Sequence, residues 1–313
     1  MIYTVTLNPA VDRILFLKEF HRSRTNRLTR SLETIGGKGT HVSINLKLQG
    51  VTSIALGITL GENGKKIAGL LQGWGVEARF LHYDLPGMES RTNFQIVEES
   101  SHISTMMTGR GPLLPADITD ALFKQLRDLI RAGDMLVLTG DASNVEDTGI
   151  YSRLTRAAVE LGGRVFLDAS GQYLREALKS GPYLIKPNLE ELCHLAGRDL
   201  GTEGEIVTAL RELDSYNIPM IAMTWGGNGA IVKHDRDFFR VHPIEVETVN
   251  EGGCGDAFLS AIIAGIEKKM DIEQTLKLAA SVAAATAESE ETVGFDPARV
   301  GQFMQRVVLD RIL

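Results

Sequence analysis

Short apolar runs punctuate the middle of the chain: MLVLTG at 135–140, RVFLDA at 164–169, YLIKPN at 183–188 and PMIAMTW at 219–225. Each has the length of a buried strand and is too short for a core helix. Between them, DTGIYSRLTRAAVELG (147–162) and TEGEIVTALRELDSYN (202–217) place apolar residues at helical spacing. Strands alternating with helices predict an α/β fold, with a mostly parallel central sheet covered by helices on both faces. IYTVTL at 2–7 reads as another central strand, and the last third reads as helical, DAFLSAIIAGIEKK (256–269) and then IEQTLKLAASVAAATAES (272–289).

Two stretches break this rhythm. Residues 13–35 and 91–109 alternate apolar and polar positions and are rich in polar side chains. Such patterns predict solvent-facing strands and hairpins. They read as a small β-layer set against the main body. Ligands of open α/β sheets bind beyond the carboxyl ends of the strands, so a β-layer over that edge would act as a lid. With no low-complexity linker and no internal repeat, the chain reads as one domain, 1–313.

Composition narrows the classes. Of 313 residues, 43% are hydrophobic and 23% charged, as in ordinary globular domains. The net charge of −7, with both signs interspersed, argues against a general nucleic-acid binder. Cys193 and Cys254 lie far apart without metal-ligand spacing, which predicts neither a disulfide framework nor a zinc site and suits a reducing, cytoplasmic setting. No run approaches the length of a membrane span, and the amino terminus lacks the pattern of a signal peptide.

The most informative turn is VNEGGCGDAFLSAI, 249–262. Gly252, Gly253 and Gly255 allow several backbone N–H groups to converge, and a helix opening there adds its unpaired N–H groups and positive dipole end. The expectation is an anion pocket. Asp256 beside it suits a base that takes a proton from a hydroxyl attacking phosphorus. The alternative is that Asp256 is a helix N-cap. Neither GENGKK (61–66) nor GGKGTH (36–41) meets the P-loop pattern, and no strand leads into G-x-G-x-x-G.

Other pieces follow in order: TVTLNPAVDR, then the glycine turn GGKG entering a helix at 36–50, RTNFQI, KPNLEEL (186–192), the strand–turn–strand TWGGNGAIV (224–232), and G-C-G-D. Together they make the whole chain resemble the ribokinase-like carbohydrate kinases, in particular the branch of 1-phosphofructokinase and tagatose-6-phosphate kinase. The resemblance implies ATP and Mg²⁺ as cofactors and a sugar or sugar phosphate as acceptor. It makes Asp256 the general base and Gly253, Cys254 and Gly255 the anion hole. Asn188 and Glu191 would organise magnesium through water, with Lys186 near the phosphates. Thr224, Gly226 and Gly229 would line the nucleotide. Asp12, Gly37 and Lys38 would contact the sugar, and Arg27 and Arg91 would reach from the lid to a sugar phosphate.

The chain departs from that pattern at four positions. Cys254 replaces an alanine and reads first as a tolerated small residue; the alternative is an oxidation-sensitive thiol, since a helix N-terminus lowers a thiol's pKa. Glu251 stands where a Thr or Val-type residue is usual. His41 replaces an asparagine that contacts the sugar. Asp141 replaces a serine that helps hold the sugar phosphate, and a carboxylate repels a phosphate. The resulting expectation is an ATP-dependent kinase for a ketohexose phosphate. The alternatives are a kinase for an unphosphorylated sugar or nucleoside, and a non-catalytic nucleotide or sugar sensor. Lid strands also offer edges for a homodimer.

Overall fold

A computed structural model describes residues 1–101 and 103–312; position 102, inside the second expected lid segment, and position 313 lie outside it. An 11-stranded sheet forms the body. From one edge its strands run Leu309–Arg311, Asp237–Val241, Ala230–His234, Met220–Thr224, Leu184–Ile185, Arg164–Asp168, Met135–Thr139, Ile2–Thr6, Ile54–Leu60 and Glu77–Ala78. Leu81–Tyr83 also pairs with Ile54–Leu60. The seven strands from Met220–Thr224 to Glu77–Ala78 are parallel, and the opposite edge is antiparallel.

Successive residues of each central strand enter different cores. Leu136, Leu138, Val165, Leu167, Ile185, Ile221 and Met223 face one apolar layer. Met135, Val137, Phe166, Leu184, Met220 and Ala222 face the other. Side chains of a strand alternate between faces, so a strand buried on both reads as a continuous apolar run. Helices Ala116–Leu129, Ile150–Glu160 and Glu203–Glu212 cover the first layer. Lys38–Leu48, Cys254–Glu267, Ile272–Ala287 and Pro297–Met304 cover the second. Among the described residues, no helix is long and apolar enough to cross a membrane.

A separate four-stranded sheet makes the lid, in the order Arg30–Gly36, Ala10–Leu17, Arg91–Glu98, Ile103–Met107. It begins at Ala10, three residues earlier than the expected segment. Two antiparallel hairpins are present as expected, but they join through a parallel pairing of Ala10–Leu17 with Arg91–Glu98. That pairing joins strands distant in sequence and has no local signature. One other difference concerns length. YLIKPN contributes only Leu184–Ile185 to the sheet, because the chain turns at Pro187 into a helix. GENGKK opens the helix Gly61–Gly73, and the apolar run before it is the fully buried strand Ile54–Leu60.

Candidate active site

The carboxyl ends of adjacent parallel strands deliver Asp141, Asp168, Lys186, Asn188 and Thr224 to one edge of the sheet. The lid strands bring Asp12 and Arg91 over the same edge. Asn188 and Thr224 are bridge partners there, and Thr224 N donates to Pro187 O at 3.0 Å.

The glycine turn leads into the helix Cys254–Glu267. Its N-cap is Gly253 in the left-handed region at φ 78°. A side chain at Gly253 would collide with the Thr292 carbonyl, so glycine is required. No side chain caps this end, and the N–H groups of Cys254, Gly255 and Asp256 have no acceptor among the described residues. They form the unpaired donor set that attracts an anion. Lys186 adds a positive charge: its Nζ lies 3.3 Å from where a Gly255 Cβ would stand. Asp256 is in the first turn and is not the cap.

Asp256 is nearly buried, and its Oδ2 lies 2.8 Å from His41 Nδ1. His41 Nε2 lies 3.0 Å from the Ile35 carbonyl. The expected sugar contact of His41 is therefore corrected, because both ring nitrogens are engaged within the protein. Burial opposes a charge on this imidazole, but the Asp256 hydrogen bond and charge, Asp12 and the Ile35 carbonyl outweigh it and raise its pKa.

Asp168 closes the strand Arg164–Asp168 and is fully buried. Its Oδ1 accepts from Lys38 Nζ at 3.1 Å, and Lys186 Nζ lies 3.3 Å from Oδ2 without an aligned hydrogen bond. Burial works against the carboxylate, yet Lys186 and Lys38 prevail and lower its pKa. One buried carboxylate thus positions two lysines from different elements.

Asn188 and Glu191 form a reciprocal capping box on the helix Leu189–Ala196. Asn188 Oδ1 accepts from Glu191 N at 2.8 Å, and Glu191 Oε2 accepts from Asn188 N at 2.9 Å. Burial raises the Glu191 pKa against the pull of the Asn188 N–H, and the nearby Asp168 charge adds to the rise. No group of three or more His, Cys, Asp or Glu among the described residues could enclose a metal. The donor set still fits Mg²⁺, which keeps most of its water and needs only one or two carboxylates beside phosphates. Glu191 supplies one such carboxylate, since only its Oε2 is engaged in the capping box. Gly226 opens a short 3₁₀ turn after Thr224, and Gly229 closes it with φ 85°, where a side chain would meet the Val241 carbonyl.

Asp12 and Asn93 are register partners in the lid, and Asn93 Nδ2 donates to Asp12 Oδ1 at 2.7 Å. Burial raises the Asp12 pKa, opposed by His41, Asn93 and Arg91. Gly37 caps the helix Lys38–Leu48 close below, with Thr6 beneath it. Arg91 donates to Asn8 O at 3.1 Å, to Gly109 O at 2.8 Å and to Asp141 Oδ2 at 3.2 Å. Asp141 also accepts from Asn8 Nδ2 at 3.1 Å and from Ser143 N and Oγ, both at 2.8 Å. Arg27 does not join this group. It is exposed between the strands Ala10–Leu17 and Arg30–Gly36, with no hydrogen bond or ion pair among the described residues. At Cys254 the surroundings disfavour a thiolate. Burial, Glu251 and Asp256 push its thiol up to about 12, away from the reactive range.

Three structural participants have weak sequence signals. Asp168 ends RVFLDA as a charge after an apolar run. Asn93 lies inside RTNFQI, where only strand register pairs it with Asp12. Asn250 accepts from Gln95 Nε2 at 3.0 Å and from Gly252 N at 2.9 Å, so it ties the lid to the glycine turn. Its only local signal is its place just before that turn.

Residues 5–299 match the pfkB family of carbohydrate kinases. The 1-phosphofructokinase of Bacillus subtilis is 31% identical over 291 residues, covering 93% of this chain and 94% of that protein. A tagatose-6-phosphate kinase of Staphylococcus epidermidis is 30% identical over 295 residues, with the same coverage of 93% and 94%. Among solved structures, phosphofructokinase-2 of Escherichia coli in complex with potassium superposes with a TM-score of 0.91 at 23% identity, over 97% of this chain and 98% of that one. The fold, the order of the elements and the match over nearly the whole length agree, and the chain belongs to the pfkB family of carbohydrate kinases.

Proposed function

We propose that this kinase transfers the γ-phosphoryl of ATP to a hydroxyl of a ketohexose phosphate, with Asp256 as the base. The observation that carries this reading is Asp256 in the first turn of a helix whose opening N–H groups are unpaired and whose entry lies against Lys186. The N–H groups of Gly253, Cys254 and Gly255 steady the transferring phosphoryl, and Lys186 offsets its charge. Lys38, held by Asp168, faces the acceptor side. Thr224, Gly226 and Gly229 flank the nucleotide. Asp12, set by Asn93, orients the sugar hydroxyls, and Arg91 meets the sugar phosphate. Glu191 would hold Mg²⁺ through water, with Asn188 keeping Glu191 in place. When bound, that ion neutralises charge on the ATP phosphates. The lid over the edge excludes water, which would otherwise hydrolyse ATP.

Sequence kinship with a 1-phosphofructokinase and a tagatose-6-phosphate kinase supports a phosphorylated ketohexose. One contact favours the second reading, an uncharged sugar or nucleoside: Asp141 already occupies Nη1 of Arg91. ADP release measured with matched phosphorylated and free sugars separates the two. Asp256→Asn tests the mechanism itself. The variant should lose about 10²–10⁴-fold in kcat while ATP binding persists. Near-normal turnover would remove Asp256 from the role of base.

The outer lid strand Ile103–Met107 is exposed throughout, with Ile103, Met106 and Met107 among its side chains. This supports a homodimer closed through the lids, which sedimentation tests. The free thiols Cys193 and Cys254 support a cytoplasmic location.

A further inference from the structure

His41 lies between two oxygens. Nε2 is 3.0 Å from the Ile35 carbonyl, and Nδ1 is 2.8 Å from Asp256 Oδ2. A carbonyl only accepts, so Nε2 carries a proton. The second contact then needs one proton between Nδ1 and Oδ2. With that proton the pair is neutral, an imidazolium against a carboxylate or an imidazole against a carboxylic acid. Without it, a ring lone pair faces an oxygen in either tautomer, so one of the two contacts becomes repulsive. Asp256 Oδ1 has no hydrogen-bond partner among the described residues.

We propose that His41 is a positioning residue for phosphoryl transfer: by holding a proton against Asp256 Oδ2, it keeps Oδ1 directed at the acceptor hydroxyl. The inference rests on the reading of Asp256 as the base. In the transfer, the hydroxyl oxygen forms the new O–P bond as its O–H bond breaks, and that proton passes to Oδ1. The leaving ADP oxygen keeps the electron pair of the broken P–O bond. The pair becomes a cation beside two anionic products, and the proton returns to water after their release.

The arrangement makes activity depend on pH. Asp256 of the helix Cys254–Glu267 and Asp12 of the lid are the charges that act on the ring. Lys38, on the ring's own helix, acts on Asp256 in turn. Glu33 and Arg30 on the strand that carries Ile35 turn to Arg13 and Lys66, and to Glu99 and Glu290. Glu267 is exposed at the far end of its helix. A ring held above its ordinary value keeps its proton to higher pH than a free imidazole and loses it as pH rises through that raised value. The pair is therefore intact on the acid side of that value and broken on the alkaline side.

The experiment compares kcat against pH at saturating substrates for wild type, His41→Asn, His41→Leu and Asp256→Asn. Asparagine carries Nδ2 one bond beyond Cγ, as histidine carries Nδ1, so it keeps a donor for Oδ2 that does not titrate. Wild type should show an alkaline limb. His41→Asn should lose that limb and drop no more than about tenfold in kcat, the cost of about one hydrogen bond. His41→Leu should fall about 10²-fold in kcat with both KM values held, the lower end for an impaired base. Nitrogen-15 NMR of the ligand-free enzyme gives a readout apart from activity. The His41 ring should titrate above the ordinary imidazole value in wild type and return toward it in Asp256→Asn. Thermal melts check that each variant folds, and His41→Asn keeps the test decisive if His41→Leu does not. An alkaline limb that survives in His41→Asn, or a ring titrating at or below the ordinary value, overturns the proposal. An inactive Asp256→Asn beside wild-type behaviour of both His41 variants overturns it alone. An active Asp256→Asn overturns the base itself.

Discussion

Arg91 Nη1 lies 3.2 Å from Asp141 Oδ2, so the lid arginine proposed to meet a sugar phosphate is already paired with a carboxylate. The pair resolves the repulsion expected from Asp141, because that charge does not face the acceptor uncompensated. It also lowers the attraction Arg91 can offer. Asp141→Ser should free the guanidinium and lower KM for a phosphosugar several-fold, leaving KM for ATP unchanged. A full charge-assisted contact would contribute about 1.5–3 kcal/mol, and Asp141 is 38% exposed, so water takes part of that. Arg91→Ala should raise the same KM. Kinetics with matched phosphorylated and free sugars in the double variant measures the coupling. Loss of every phosphosugar activity in Asp141→Ser would count against the idea that Asp141 opposes the phosphate.

Glu191→Gln separates cap from metal. Glutamine retains an oxygen for the Asn188 N–H, so stability should hold while the Mg²⁺ needed for half-maximal rate rises. Asn188→Ala should instead cost about 1 kcal/mol of stability, the usual loss of a helix cap. Urea melts and magnesium titrations distinguish these outcomes; an unchanged Mg²⁺ requirement in Glu191→Gln would take Glu191 away from the ion.

Gly253 and Gly226 are both left-handed, but only Gly253 has a carbonyl against its missing side chain. Gly226→Ala should cost about 1–2 kcal/mol for the backbone alone. Gly253→Ala should cost more and also lower kcat, because the turn must move its N–H groups. Equal melting temperatures for the two variants would show that the Thr292 contact is unimportant.

Removing the Asp168 charge leaves Lys186 buried without its counterion. Asp168→Asn should destabilise by about 3–5 kcal/mol at pH 7. The Asp168 pKa is lowered on folding, so its contribution is complete above the unfolded carboxyl value of about 3.9 and disappears as pH falls through the lower folded value. Urea unfolding at several pH values should show a constant gap between wild type and variant from pH 8 to pH 5. A gap that closes within that interval would contradict the direction of the shift.

Cys254 should react slowly with a thiol reagent at pH 8, because the thiolate is rare when the thiol sits at about 12. Cys254→Ala should leave kcat close to wild type, since the proposed anion hole uses the backbone N–H, which alanine keeps. Labelling followed by mass spectrometry reads the first effect, and rapid modification of Cys254 in the folded enzyme would reverse it.

Much of this enzyme was legible along the chain. Apolar runs such as MLVLTG carried the parallel sheet, because a strand buried on both faces must be apolar at every position. Glycines before Asp256 marked the turn into an uncapped helix start, since a left-handed residue followed by a helix start is a local requirement. Tertiary structure alone decided the rest. The parallel pairing across the lid sets Asp12 opposite Asn93, and no local pattern specifies a partner eighty residues away. Asp168 gains its two lysines, and Asp141 its arginine, only when separate elements converge. His41 reads as a helix residue near a glycine turn, and a sugar contact was the natural expectation. It became the partner of Asp256 because the helices Lys38–Leu48 and Cys254–Glu267 pack side by side, burying an imidazole and a carboxylate that each need the other's hydrogen bond.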